Sequence, residues 1–513
     1  MDLLDPVPLH VERAARVPGL RARVGDARRL PVPDGGADAV LLLGPLYHLA
    51  DRADRLRALG EARPAGAAAA GPAVCAPPQG GAPPGAERPT TIDVVAQAYR
   101  CVLARYYGAA ALDGRTLLTA GFAAFVTELN RAGHDLPEAT MPALTGDRTA
   151  DWTAFEAAYR RVTDRLPRDD ALRARLAAAT LEAIVATLGD DHARWEHGAR
   201  RPPDAYDGDQ YGLGLTASAR RADAPGTALP PLFVTAVPGG PARAAGVRPG
   251  DVVESVDGSA PFVGTQVTPA VVAALYPRYP QAAPVRLRLL RPDTGRRRTV
   301  TLKPRLFRPD PDTLPVVAAG LLAGNVAHVR MSGFAPDSAD RVLRAITRLR
   351  TGRTLAGVVL DLRGNGGGSP GEVNRLLGGF AHGAVTAYQC AADGSCETMR
   401  TDDTVPLVGL PLVVLTDRGC ASACEHFSAA VKDLRLGRLV GTRTAGAVSG
   451  PAQPYALGDN TVLAFPSRHH LAPGREAIDR VGVPPDVHVP LTPRDAAAGR
   501  DPALAAALNL LHP

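Results

Sequence analysis

The stretch that most constrains this chain is an apolar strand that breaks into a small-residue turn and then a helix. Pro411-Leu412-Val413-Val414-Leu415 is apolar throughout, as a strand covered on both faces must be. Asp417-Arg418-Gly419-Cys420-Ala421-Ser422-Ala423-Cys424-Glu425-His426 follows, and Phe427-Ser428-Ala429-Ala430-Val431 reads as a helix. Such a turn can set a hydroxyl at a helix N-terminus, where free backbone N–H groups and the helix dipole favour developing negative charge. Ser422 is the hydroxyl in that place. Most serines in small-residue turns only cap helices, so its partners must come from elsewhere in the chain.

A second strand-to-turn unit lies upstream. Gly357-Val358-Val359-Leu360-Asp361-Leu362 is a buried strand that empties into Arg363-Gly364-Asn365-Gly366-Gly367-Gly368-Ser369-Pro370-Gly371. The loop lacks a Gly-Lys-Ser/Thr ending and contains no Lys, which argues against a nucleotide P-loop. Backbone amides turned toward an oxyanion are the better use of so much Gly, and a surface loop is the alternative.

At 513 residues, two to four domains are expected. Residues 306–491 alternate strand and helix: Val326–Met331 is a strand, Asp340–Arg350 an amphipathic helix, and Asp501–Leu511 a terminal helix. Residues 91–205 read as mostly helical. Thr91 caps a segment running to Tyr99, and Trp152–Arg161 and Leu172–Leu188 repeat the helical apolar spacing. The last of these stops at Gly189-Asp190-Asp191-His192. A His in a turn is usually surface, but its acidic neighbours and its place after a long helix single this one out. Residues 71–90 have the Pro, Gly and Ala of a linker, a composition that also fits the remnant of an export segment.

The net charge of +6 is small for the length and the Arg residues are scattered, so nucleic acid is not implied. Lys303 and Lys432 are the only lysines. No Cys/His spacing suits a zinc site, so no metal is expected. Cys390 and Cys396 flank a hairpin tip at a spacing suited to a local disulfide, and Cys420 and Cys424 bracket Ser422. No apolar run is long enough to span a membrane. Met1–Asp5 is not a signal peptide, yet an extracytoplasmic location, secreted or at the cell surface, is expected.

Three resemblances follow from motifs. Residues 1–70 contain Val24–Pro31 followed by the apolar Ala37–Leu49, which resembles the middle of a class I S-adenosylmethionine methyltransferase. That resemblance implies Asp26 near an adenine. The family's Gly-rich first loop is absent, so a truncated fragment without a cofactor is expected. Residues 206–305 carry Tyr211-Gly212-Leu213-Gly214-Leu215, the strand Leu232–Val237, and Gly240–Gly258 with its Ala-Gly-Val-Arg-Pro-Gly-Asp and Val-Asp-Gly runs. This resembles a PDZ domain. The resemblance implies that Tyr211, Gly212, Leu213, Gly214 and Leu215 bind a chain-terminal carboxylate and that the adjoining strand edge pairs with an extended peptide.

The ordered set of helical region, PDZ-like module, Asp-Leu-Arg-Gly-Asn-Gly-Gly-Gly, Ala-Ser-Ala-Cys-Glu and Gly482-Val483-Pro484-Pro485-Asp486 resembles the C-terminal (tail-specific) processing serine peptidases. It is similar above all to the branch with tricorn-core and retinoid-binding-protein-like domains. The resemblance covers residues 91–513. It implies a multidomain α/β chain whose mixed α/β core (306–513) is ClpP/crotonase-like. It makes Ser422 the nucleophile and Ala423, with Gly367 or Gly368, the oxyanion hole. The processing proteases place a Lys inside Gly-x-x-Thr-x-Gly-Lys, but Gly441-Thr442-Arg443-Thr444-Ala445-Gly446 ends here in Ala447, and Lys432 should point away. The tricorn-like branch supplies a His instead, which His192 matches, with Asp479 as the nearest match to that branch's acid. His426 and His469-His470 are rival bases. The implied function is a serine-type peptidase acting on peptides or unfolded protein tails without a cofactor. The alternative is a catalytically weak peptide- or ligand-binding protein on the same scaffold.

Overall fold

A computed structural model describes residues 2–5, 7–17, 21–26, 75, 86–198, 209–221, 228–310 and 316–511. The chain divides into two compact units, Met1–Val74 and Cys75–Pro513. In the first unit, strands Asp2–Asp5 and Arg21–Val24 pair in parallel around the helix Pro8–Ala14. The apolar run Ala37–Leu49 lies outside the described residues, as does most of the 71–90 segment.

The second unit opens with four helices: α1 (Ile92–Arg105), α2 (Gly114–Arg131), α3 (Arg148–Thr163) and α4 (Asp170–Ala186). Helices α1, α3 and α4 match the apolar spacing in the sequence, whereas α2 lies in the region read as mostly helical without being singled out. Asp113, Asp147 and Asp169 cap α2, α3 and α4 by accepting backbone N–H groups. Thr91 stands at the α1 N-cap, but its side chain makes no capping bond. Tyr99, Phe125, Phe155 and Leu181 fill the core between these helices, and Tyr455, Leu463 and Phe465 from the far end of the chain pack into it.

A five-stranded antiparallel sheet follows, in the order β5-β4-β3-β2-β1: β1 (Thr216–Arg221), β2 (Ala228–Ala236), β3 (Val252–Val256), β4 (Val285–Leu290) and β5 (Arg297–Leu302). Along β4 the residues alternate between buried Val285, Leu287, Leu289 and exposed Arg286, Arg288, the period of a sheet wet on one face. The helix Pro269–Leu275 covers the dry face with Val271 and Leu275.

The largest sheet is β6 (Val317–Leu322), β7 (Val326–Met331), β8 (Gly357–Asp361), β9 (Leu412–Thr416), β10 (Gly437–Gly441) and β11 (Val487–His488), in that spatial order. Only the β6–β7 pair is antiparallel. Every residue of β8 and β9 is buried. Both faces of the sheet are therefore covered, and the two sets of side chains go to different cores. Val358, Leu360 and Val414 face α5 (Ser338–Arg350), α6 (Pro370–Gly378) and α7 (Ala423–Asp433). Val359, Val413 and Leu415 face α8 (Pro502–Leu511). The sequence thus fixes where β8 and β9 lie, and it is the parallel order that carries the turns after both strands to one edge of the sheet.

Leu360 is fully buried and Leu407 is 54% exposed. Leu360→Ala is expected to cost about 2–5 kcal/mol in urea unfolding, and Leu407→Ala less than about 0.5 kcal/mol.

Candidate active site

Strand β9 ends at Thr416, and the turn that follows delivers Ser422 to the start of α7. Ser422 has φ 54 and ψ −120, a strained backbone for a non-glycine residue and the conformation of a sharp strand-to-helix elbow. The elbow is held from below by Glu425, whose side chain is fully buried. Its carboxylate accepts the Ser422 N–H at 3.3 Å, the Thr444 hydroxyl at 2.6 Å, and the Gly446 and Ala447 N–H groups at 2.7 Å each. Burial pushes the Glu425 carboxyl up, and these four donors pull it back toward the charged form. The loop 444–449 is thereby wrapped around the elbow, and the Ala447 carbonyl accepts the Ser422 N–H at 2.9 Å.

Cys420 and Cys424 are joined by a disulfide across Ser422, and Cys390 and Cys396 form the hairpin disulfide. A third disulfide, Cys75–Cys101, was not anticipated. Lys432 points away as expected: its ammonium donates to the Pro484 carbonyl and pairs with Asp486. No lysine stands at Ala447.

The distant histidine does reach the elbow. His192 Nε2 lies 3.2 Å from Ser422 Oγ, across 230 positions of sequence. Helix α4 ends at Ala186, and the turn beyond it passes through Gly189, whose φ is +57. The Arg480 guanidinium pins that end by donating to the Leu188 and Gly189 carbonyls. Just beyond His192, Arg194–Glu196 adds as an edge strand to Val462–Pro466.

Asp479 makes no hydrogen bond to His192; its carboxylate accepts the Val448 N–H at 3.1 Å. His192 Nδ1 instead meets the Ser449 hydroxyl at 3.2 Å, and that hydroxyl donates to Asp190 Oδ1 at 2.7 Å. Asp190 also accepts the His192 backbone N–H and the Tyr106 phenol, each at 2.9 Å. Ser449 and Tyr106 escaped the sequence reading, for a residue joined only by tertiary contact leaves no local pattern. Asp190 was visible as a neighbour of His192 and went unused.

The rival bases do not reach Ser422. His426 is buried inside α7, its Nε2 without a partner, 4.9 Å ring-to-ring from the equally buried His470. His469 stacks on Tyr107.

Gly367 lies against the elbow: a Cβ there would sit 2.7 Å from Ser422 Cβ and 2.9 Å from the Ala423 nitrogen. At Gly368 a Cβ would strike the Phe334 carbonyl oxygen at 2.4 Å. The Gly367 N–H donates to Asn365 Oδ1, while the Gly368 and Ala423 N–H groups have no acceptor among the described residues. The Tyr211–Leu215 loop lies in the five-stranded module. Leu213 and Leu215 are buried in its core, and Gly214 allows no Cβ because the Gly239 carbonyl would be 2.2 Å away.

Residues 325–489 match the model of peptidase family S41. The chain is 30% identical over 340 residues to carboxyl-terminal-processing peptidase 2 of Arabidopsis thaliana, covering 64% of each chain. It is 30% identical over 156 residues to the tricorn protease of Thermoplasma acidophilum, covering 30% of this chain and 14% of that one. Among solved structures, the photosystem II D1 C-terminal processing protease aligns with TM-score 0.48 and 23% identity, over 78% of this chain and 92% of that chain. The chain spans 64%, 56% and 63% of three curated processing peptidases that it matches.

Burial pulls His470 down from 6.5 to about 4, aided by the neighbouring His469 and His192. Its folded form refuses a proton that the unfolded chain accepts below about pH 6.5. Stability should therefore fall as pH drops from about 6.5 to about 4. Thermal melts of His470→Leu across that window should show a flatter dependence than wild type.

Proposed function

We propose that the chain is a serine-type peptidase that cleaves peptides or unfolded protein tails, with Ser422 as nucleophile and His192 as general base. The observation that carries this reading is the 3.2 Å approach of His192 Nε2 to Ser422 Oγ. A serine hydroxyl is a weak nucleophile at neutral pH and needs a base within hydrogen-bond reach. No lysine is in place to serve. Ser422 Oγ bonds to the scissile carbonyl carbon as its proton passes to His192 Nε2. The tetrahedral oxyanion is met by the N–H of Ala423, at the N-terminus of α7, and by that of Gly368. Gly368 is preferred to Gly367 because the Gly367 N–H is already spent on Asn365. Collapse breaks the C–N bond, and His192 returns its proton to the leaving amine. Water then repeats the sequence on the acyl-enzyme. All of these groups belong to the chain, so the chemistry asks for no cofactor.

The five-stranded module is read as a PDZ domain. Its Tyr211–Leu215 loop would take a substrate's terminal carboxylate, and strand β1 stands at the sheet edge where an extended peptide can add. The Tyr276 hydroxyl now bonds to both the N–H and the carbonyl of Ala217 on that edge, so an incoming strand must displace it. Three disulfides among the described residues favour an oxidising, extracytoplasmic compartment. No helix among the described residues is long and apolar enough to cross a membrane.

Labelling with a fluorophosphonate probe tests the site. Wild type should label, Ser422→Ala should not, and His192→Ala should label slower by about 10²-fold or more. Normal labelling of His192→Ala would remove it as the base. Gly367→Ala, which drives a methyl group against Ser422, should also lose about 10²-fold or more in labelling rate, while circular dichroism still reports the folded chain.

A further inference from the structure

We propose that Asp190 is the acid that orients His192, acting only through the hydroxyl of Ser449, so that Ser449 is a positioning residue in a four-member chain Asp190–Ser449–His192–Ser422. The inference rests on the Ser422–His192 reading and deepens it.

The direction of the hydrogen bonds follows from counting protons. Ser449 has one hydroxyl proton and two near partners, Asp190 Oδ1 at 2.7 Å and His192 Nδ1 at 3.2 Å. A carboxylate can only accept, so the proton points to Asp190. Ser449 Oγ then accepts, and His192 Nδ1 must carry the hydrogen. In a neutral imidazole that leaves Nε2 bare. Nε2 is the atom facing Ser422, and bare is the state a general base needs. The carboxylate therefore sets the tautomer without touching the ring.

Asp190 is suited to that task. It is 8% exposed. Its two oxygens take three donors: Ser449, Tyr106 and the His192 backbone amide. The carboxylate is fixed on the same turn that carries the imidazole. When His192 accepts the Ser422 proton, the Nδ1–H bond to Ser449 strengthens, and the hydroxyl relays the field of Asp190. No proton crosses Ser449. Asp479 has no part in this chain, since its carboxylate is engaged by the Val448 amide.

An amide at position 190 would reverse the relay. Its NH₂ would donate to Ser449, the Ser449 proton would turn to Nδ1, and Nε2 would hold the hydrogen. Asp190→Asn should therefore be worse than simple loss of the hydroxyl.

The test uses the full chain, fluorophosphonate labelling and ¹⁵N-histidine NMR, with the His192 signal assigned from its absence in His192→Gln. Wild type should show the Nδ1–H tautomer. Ser449→Ala should lose that preference and label slower by about 10- to 100-fold, at or below the ordinary range for a general base. Ser449→Thr, which keeps the hydroxyl, should recover both to within about threefold of wild type, a rescue that a purely packing role would not give. Asp190→Asn should label slower than Ser449→Ala, and Asp479→Asn should lose less than either. The relay is overturned if Ser449→Ala keeps the Nδ1–H tautomer and labels within about twofold of wild type, or if Asp479→Asn is the most damaging of the three. In those cases slow labelling of His192→Ala would leave the Ser–His pair standing. Normal labelling of His192→Ala would bring down the pair itself.

Discussion

The carboxylate of Glu425 is the constraint on which the site depends. A fully buried acid must be met by donors, and this one is met by four, drawn from the elbow and from the loop at 444–447. That requirement holds two distant turns together. It fixes the backbone of Ser422 in a conformation that non-glycine residues rarely adopt, and it carries the following residues, Val448 and Ser449, to where His192 arrives. The strain at Ser422 persists because the surroundings leave it no alternative.

The second requirement is a helical arm that reaches the core from the other end of the chain. Helix α4 ends in a turn, the turn presents Asp190 and His192, and the chain then joins the sheet formed by Val462–Pro466. Arg480 locks the end of α4 from the opposite side. The Ser422–His192 pair thus exists only when the helical region is folded onto the peptidase core, with Tyr455, Leu463 and Phe465 buried among the helices. The burial of His426 and His470 beside it follows from the same packing. Both are drawn down as bases by loss of water, and the Nε2 of each has no hydrogen-bond partner.

Much of this was legible in residue order. Period and apolarity placed β7, α5, β8 and β9, because a parallel sheet covered on both faces demands unbroken apolar runs. The turns after β8 and β9 announced themselves through Gly and small residues. The absence of Lys at position 447 pointed away from a Ser–Lys pair, and His192, which lies 3.2 Å from Ser422 Oγ, was singled out by its neighbours. Helix α2 was not singled out within the region read as mostly helical, because Gly114 and Gly121 dilute its pattern; a Cβ at Gly121 would crowd Ile184 and Thr180 of α4 at 3.0–3.2 Å. The choice of Asp479 shows a different limit. Asp479 was chosen by its distance from a terminal motif, and sequence distance does not say which oxygen an imidazole nitrogen meets.

The sequence by itself determined the strand–turn–helix units and singled out Ser422 and His192, since each is written in local residue types and spacing. Only the tertiary structure decided that Ser449 stands between His192 and Asp190, that Tyr106 completes the carboxylate's partners, and that the Gly367 amide is taken while that of Gly368 has no acceptor among the described residues. Those are matters of a few tenths of an ångström between segments far apart in the chain. They are set by how buried polar groups find partners when the core closes, and no local pattern encodes them.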